Sequence, residues 1–127
     1  MIGYVTVGCN DMDKGLPFYD GLMLALGLSP AFDHPRGGRF YGAEPGKMEF
    51  GVLKPFDEST ATSGNGTMIA FQGESHEQVR AVHAKALELG GTCEGEPGYR
   101  GKEGGFFGAY FRDLDGNKLC VFRIGPE

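Results

Sequence analysis

The chain reads as one pattern written twice, and that repeat constrains the fold more than any single residue does. The first copy opens with alternation over about Ile2–Cys9, placing Ile2, Tyr4 and Thr6 on one strand face and Val5, Val7 and Cys9 on the other. Asp11 or Asp13 can cap a helix running to about Leu26, within which Leu16, Tyr19, Met23 and Leu26 recur at helical spacing before Gly27 ends it. Pro17 lies near the first turn, where a missing N–H costs least. Short strands follow around Ala31–Asp33, Arg39–Ala43 and Met48–Leu53, separated by the turn-forming His34–Gly38 and Glu44–Lys47.

A polar, small-residue stretch, Phe56–Gly66, then reads as a linker, and the pattern begins again. Thr67–Gln72 makes a strand, Ser75 with Gln78 carries a capping-box signature, and Val79, Val82, Ala86 and Leu89 form the stripe of a helix ended by Gly90 or Gly91. Strands near Cys93, over Phe106–Arg112 and over Lys118–Arg123 complete the copy. The helices close alike, Leu26-Gly27 matching Leu89-Gly90. The last two strands meet at Asp113-Leu114-Asp115-Gly116-Asn117, whose Asp, Gly and Asn suit a tight turn.

In this order and spacing, three blocks resemble the glyoxalase/bleomycin-resistance/extradiol-dioxygenase (vicinal oxygen chelate) superfamily. They are Val5-Thr6-Val7…Phe18-Tyr19-Asp20…Leu26-Gly27-Leu28, Gly66–Phe71, and Gly108–Asp113 through Lys118-Leu119. The resemblance implies an α+β fold: two βαβββ modules forming an open eight-stranded mixed sheet around a cleft. One domain over 1–127 is expected, with the first module about 1–55, the linker 56–66 and the second module about 67–125. A homodimer is implied by the resemblance alone.

Composition removes other classes. At 127 residues the chain suits one core, and its net charge of −5 argues against nucleic acid, which needs a basic face. No apolar run approaches membrane-spanning length, so no membrane partner is expected. Cys9, Cys93 and Cys120 form an odd set without paired spacing, which suits free thiols in a reducing cytoplasm. No secretory n-region or h-region precedes the first strand, and no Cys/His spacing signals structural zinc.

The resemblance also implies where metal ligands would sit in metal-using relatives: at Tyr4 and Met68 on the first strands, at Cys120 on the last strand, and near Glu49. Imidazole and carboxylate are the donors such sites need. Here a phenol, a thioether and a thiol occupy three of the four positions. The expectation is therefore no metal site and no cofactor, with a weakly held divalent ion left open. His34 in a His-Pro turn and His76 and His83 on the second helix do not replace the missing imidazoles.

Several residues have two readings. Glu49 is the candidate general base if desolvated, or else a charge on an exposed strand. Cys120 is a possible nucleophile or a small buried hydrophobe, and Cys9 and Cys93 read as inert. Tyr4, Thr6, Met68, Tyr110, Arg112 and Cys120 line the expected cleft, suited to an apolar or aromatic ligand, or are core. The Gly-rich Glu94–Gly105, with Tyr99, Arg100 and Lys102, reads as a mobile loop able to cover the cleft, or a solvated one. The function expected is binding of a small organic molecule in the cleft. The alternative is a divergent glyoxalase-like lyase or isomerase using Glu49 as base.

Overall fold

Alternation and turn chemistry produce the same element order in each half. In the computed structural model, which describes Met1–Glu127, the first module is β1 (Val5–Gly8), α1 (Met12–Ala25), β2 (Ser29–Asp33), β3 (Gly38–Gly42) and β4 (Phe50–Leu53). The second is β5 (Ile69–Gln72), α2 (His76–Glu88), β6 (Thr92–Tyr99), β7 (Phe106–Arg112) and β8 (Lys118–Ile124). The strands form two four-stranded sheets, ordered β1-β4-β3-β2 and β5-β8-β7-β6. Each first strand pairs parallel with its module's last strand, and the other pairings are antiparallel. No helix is long and apolar enough to cross a membrane.

Both helices end in the same way. Gly27 takes φ +82° and Gly90 φ +104°, a left-handed conformation that costs glycine little. The next N–H then folds back, Leu28 onto the Met23 carbonyl and Gly91 onto the Ala86 carbonyl, each at 2.8 Å. The Ser75 hydroxyl accepts from the Gln78 N–H at 3.0 Å, as the capping signature predicts. Asp11 is the N-cap of α1, but its side chain makes no capping bond.

One face of each sheet is covered by helix. A single apolar cluster joins Val7, Tyr19, Phe50 and Val52 of the first module to Val79, Val82, Phe111 and Leu119 of the second. Phe50 meets Phe71 edge-on at 5.3 Å, so the modules share a core across the β4–β5 boundary. On α1 the buried set is Gly15, Phe18, Tyr19, Leu22 and Met23; of the predicted stripe it includes Tyr19 and Met23, while Leu16 and Leu26 are half-buried. Helix α1 packs both on its own sheet and against α2. Gln78 strengthens that contact by donating to the Ala25 carbonyl at 3.1 Å.

The Asp113 turn bolts the modules together. Asp113 is 5% exposed. Its Oδ1 accepts from the Asp115 and Asn117 N–H groups, and its Oδ2 from the Tyr19 hydroxyl and Asn117 Nδ2. Asn117 also donates to the Gly8 carbonyl of β1, and the Asn10 N–H donates to Asp115. Replacing a buried carboxylate leaves several donors unpaired. Asp113→Ala is therefore expected to cost about 2–4 kcal/mol in urea unfolding. A loss within measurement error of zero would show that the turn only decorates the core.

Candidate functional site

Strand registry decides which side chains reach the uncovered sheet faces. Val5 and Val7 pair with Phe50 and Val52 on the helix side, so Thr6, Gly8, Gly51 and Leu53 lie on the open side. In the second sheet, Ala109–Val121 and Phe111–Leu119 face the helix. The open face therefore carries Phe106, Gly108, Tyr110 and Arg112 with Lys118, Cys120 and Phe122.

Both open faces carry aromatic clusters; on the first, Phe32 stacks on Phe40 at 5.0 Å at the end away from the linker. The second is filled by its own side chains: Phe106 stacks on Phe122 at 5.1 Å, and Arg100 lies over the Tyr110 ring at 5.3 Å. Beneath them Cys120 is 0% exposed, and burial pushes its thiol pKa up to about 11. A thiol held neutral in this way is a poor nucleophile at neutral pH. Cys9 is pushed to about 12, first by burial and then by the nearby Asp115 carboxylate.

The first open face holds a cavity of about 520 Å³. Thr6 and Gly8 of β1, His34 and Arg36 of the β2–β3 turn, and Lys54 just after β4 contribute to its wall, with Ser59, Thr60 and Thr62 of the linker opposite. A small cavity of about 150 Å³ shares Thr6, Gly8 and Thr62 with it. A third, of about 480 Å³, shares Ser63, Thr67 and Lys118 with the second and ends at Met68 and Arg112. Together they make a groove that follows the linker from one module to the other.

The linker wall is held in place. Ala61 is buried; its N–H donates to Asn10 Oδ1 at 2.7 Å, and its carbonyl accepts from Asn10 Nδ2 at 3.1 Å. Hydroxyls and cations dominate the groove, and Asp57 is the one acid among the lining residues. Arg36 lies over the Phe56 ring at 4.8 Å and donates to the Phe56 carbonyl. Neither Arg36 nor Lys54 has a carboxylate partner, whereas Arg112 is paired with Glu94, whose pKa that guanidinium lowers.

The residues singled out from the sequence are therefore dispersed. Thr6 lines the main cavity, while Met68 and Arg112 line the far end of the groove. Tyr4 is exposed and meets Phe40 edge-on at 5.4 Å. Glu49 lies just before β4, and its Oε2 accepts from the Ala43 N–H at 2.8 Å, tying the β3–β4 hairpin. Tyr110 and Cys120 belong to the filled face.

The Glu94–Gly105 stretch is a correction to the expected loop. Residues through Tyr99 form β6, an edge strand, where Pro97 and glycines are tolerated through register shifts. Tyr99 packs against His76 and Phe107 on the helix side. Arg100 donates to the Gly98 and Glu96 carbonyls, and Lys102 is exposed in the short turn to β7.

The positions implied for a metal do not make a donor set. Glu49 caps a hairpin, Met68 offers only a thioether, and the Cys120 thiol is buried and held protonated. Neither Glu49 nor Cys120 belongs to the one group of three His, Cys, Asp or Glu donors within 4.8 Å of one another, which lies elsewhere. Nothing in the sequence flags Lys54 as a neighbour of His34 and Arg36, because two separate segments, the β2–β3 turn and the stretch after β4, bring them together.

An α+β fold of two open four-stranded sheets with a groove along the linker defines the structural class. The chain belongs to the Glyoxalase/Bleomycin resistance protein/Dioxygenase superfamily, whose profile matches residues 1–121. A glyoxalase/bleomycin resistance protein from Albidiferax ferrireducens is 38% identical, with a TM-score of 0.84 over 97% of this chain and 98% of that one. A glyoxalase/bleomycin resistance protein/dioxygenase family enzyme from Burkholderia phytofirmans shares the fold at 19% identity and TM-score 0.71, covering 96% of this chain and 97% of its own. The fosfomycin resistance protein FosX from Listeria monocytogenes shares it at 17% identity and TM-score 0.70, covering 97% and 92%. No curated protein sequence matches the chain.

Thiol chemistry checks this geometry. Iodoacetamide at neutral pH should alkylate Cys93 in the native protein and reach Cys9 and Cys120 only after unfolding, as read by peptide mass spectrometry. Faster native alkylation of Cys120 than of Cys93 would contradict the filled face. Both buried thiols have folded pKa values raised above 9.0, so their stabilising effect is full below about pH 9 and is lost as pH rises toward 11 and 12. Tyr19 and Tyr41, also raised chiefly by burial, act in the same direction. Stability measured in urea is thus expected to fall through that alkaline window.

Proposed function

We propose that this protein binds a small, polar, anionic organic molecule in the groove beneath the linker, without a metal at the positions the family resemblance implies. The observation that carries this reading is the cavity of about 520 Å³ lined by His34, Arg36 and Lys54 and by hydroxyls from β1 and the linker. Its volume lies in the range that holds a metabolite-sized ligand. Two cations without carboxylate partners can each make charge-assisted hydrogen bonds to a carboxylate, phosphate or phosphonate. Thr6, Ser59, Thr60 and Thr62 supply neutral donors and acceptors that would select hydroxylated ligands.

This differs from the apolar ligand expected from the sequence, because the aromatic residues on the second open face stack on one another. The reading in which Glu49 acts as a general base draws no support from its position. Its carboxylate is committed to the Ala43 N–H, and it does not line the groove.

A panel of small carboxylates, phosphates and phosphonates, screened by thermal shift in the presence of chelator, tests the proposal. Melting temperature should rise with ligand concentration for at least one anion. Arg36→Ala and Lys54→Ala should each weaken it about 10-fold or more, the usual loss for a charge-assisted bond. Binding that survives the double variant, or a panel in which only neutral apolar compounds stabilise, overturns it.

A further inference from the structure

The outer face of the second module, away from the groove, gathers three chemically different donors. His83 comes from the middle of α2 and is 3% exposed; Cys93 is half-buried and Glu96 exposed on β6. In a regular strand, residues three apart point to opposite faces. Here β6 shifts register between Cys93 and Gly95 and again between Gly95 and Gly98. The irregularity sends Glu94 to Arg112 on the open face while Cys93 and Glu96 turn together toward His83.

His83 Nε2 lies 3.3 Å from Cys93 Sγ, and Cys93 Sγ lies 3.5 Å from Glu96 Oε1. All three donor atoms fall within 4.8 Å of one another. Tetrahedral zinc, with Zn–S about 2.3 Å and Zn–N or Zn–O about 2.0–2.2 Å, sets adjacent donors roughly 3.3–3.6 Å apart. Two of the three edges already match, and the third closes by rotation of the exposed Glu96 side chain. We propose that His83, Cys93 and Glu96 form a Zn²⁺ site that clips the edge strand β6 to α2 and leaves a fourth coordination position to water.

Thiolate, imidazole and carboxylate together suit a borderline ion such as zinc. Magnesium and calcium prefer oxygen donors alone. Binding replaces the Cys93 thiol proton by the metal, and the proton passes to solvent. Arg100 lies nearby but is held by the carbonyls of Gly98 and Glu96; its charge lowers the affinity without occupying a ligand position.

The test uses the untagged full chain after chelator treatment. Native mass spectrometry with Zn²⁺ should show one ion per chain. Co²⁺ should produce an intense near-ultraviolet thiolate-to-cobalt charge-transfer band. Cys93→Ser should abolish that band, and Glu96→Gln should weaken Zn²⁺ binding at least about 10-fold, the scale on which even outer-shell changes act. Glu49→Gln and Cys120→Ser should leave both signals intact. His83→Gln alters a buried residue, so its result counts only with a native circular dichroism spectrum; the half-exposed Cys93 and the exposed Glu96 carry the test without it. No metal bound to the wild type means that the cluster is a thiol–imidazole hydrogen bond and overturns the proposal. A cobalt band that survives Cys93→Ser but is lost in Cys120→Ser places the metal on the open face and overturns it equally.

Discussion

The buried carboxylate of Asp113 holds the two modules in one relation, and the groove depends on that relation. Its oxygens take hydrogen bonds from its own turn and from Tyr19 on α1, so a loop of the second module is fastened to the helix of the first. Asn117 carries the connection on to the end of β1, and Asn10 carries it to the linker. One network therefore sets the spacing between β1 and β8, the strand ends that face each other across the groove. Because the donors to Asp113 come from its own turn and from α1, and Asn117 of that turn also holds β1, a change at Asp113 would be felt in all three.

Duplication does not make the halves equivalent. Each module offers one open sheet face, yet the second is closed by Phe106, Phe122, Tyr110 and Arg100 stacked over small residues. Gly108 lies so close beneath Phe106 that a Cβ there would come within 2.5 Å of its ring. On the first face Gly51 is covered in the same way, a Cβ there meeting the Phe40 ring at 2.7 Å; the open space lies beside Thr6 and Gly8, where the linker crosses at a distance fixed by Ala61. The largest lining set thus lies at the β1 end of the first module and along the linker, with Met68, Arg112 and Lys118 of the second module at the far end.

The repeat made the fold legible. Two strand–helix–strand patterns with matching glycine stops dictate element order, and the capping signature at Ser75 fell where the helix begins. The two-sided burial of α1 was not legible, since its packing against α2 is a contact that periodicity alone does not reveal. Nor was the groove: its cations come from a turn and a strand end, and Asn10 gives no local sign that it will clamp a residue 51 positions away. Thr6 falls on the face that strand alternation assigns to it, a local property, whereas Met68 was singled out by the family resemblance. Glu49 was singled out by position in the repeat, yet its carboxylate is used to close a hairpin.

The strand conformation of Thr92–Tyr99 has a physical cause with a consequence for chemistry. Glycine and proline in such density usually mark a loop, because proline removes a ladder donor and glycine adds no packing. At a sheet edge those costs fall, since one side of the strand needs no partner and bulges are tolerated. β6 exploits that freedom, pairing with β7 through two register shifts. A straight strand would have left Cys93 facing His83 and turned Glu96 away from both. The composition that interrupts β6 as a strand is also what aligns its thiol and carboxylate under α2, so a clip between helix and strand would hold an edge whose pairing is broken at two points.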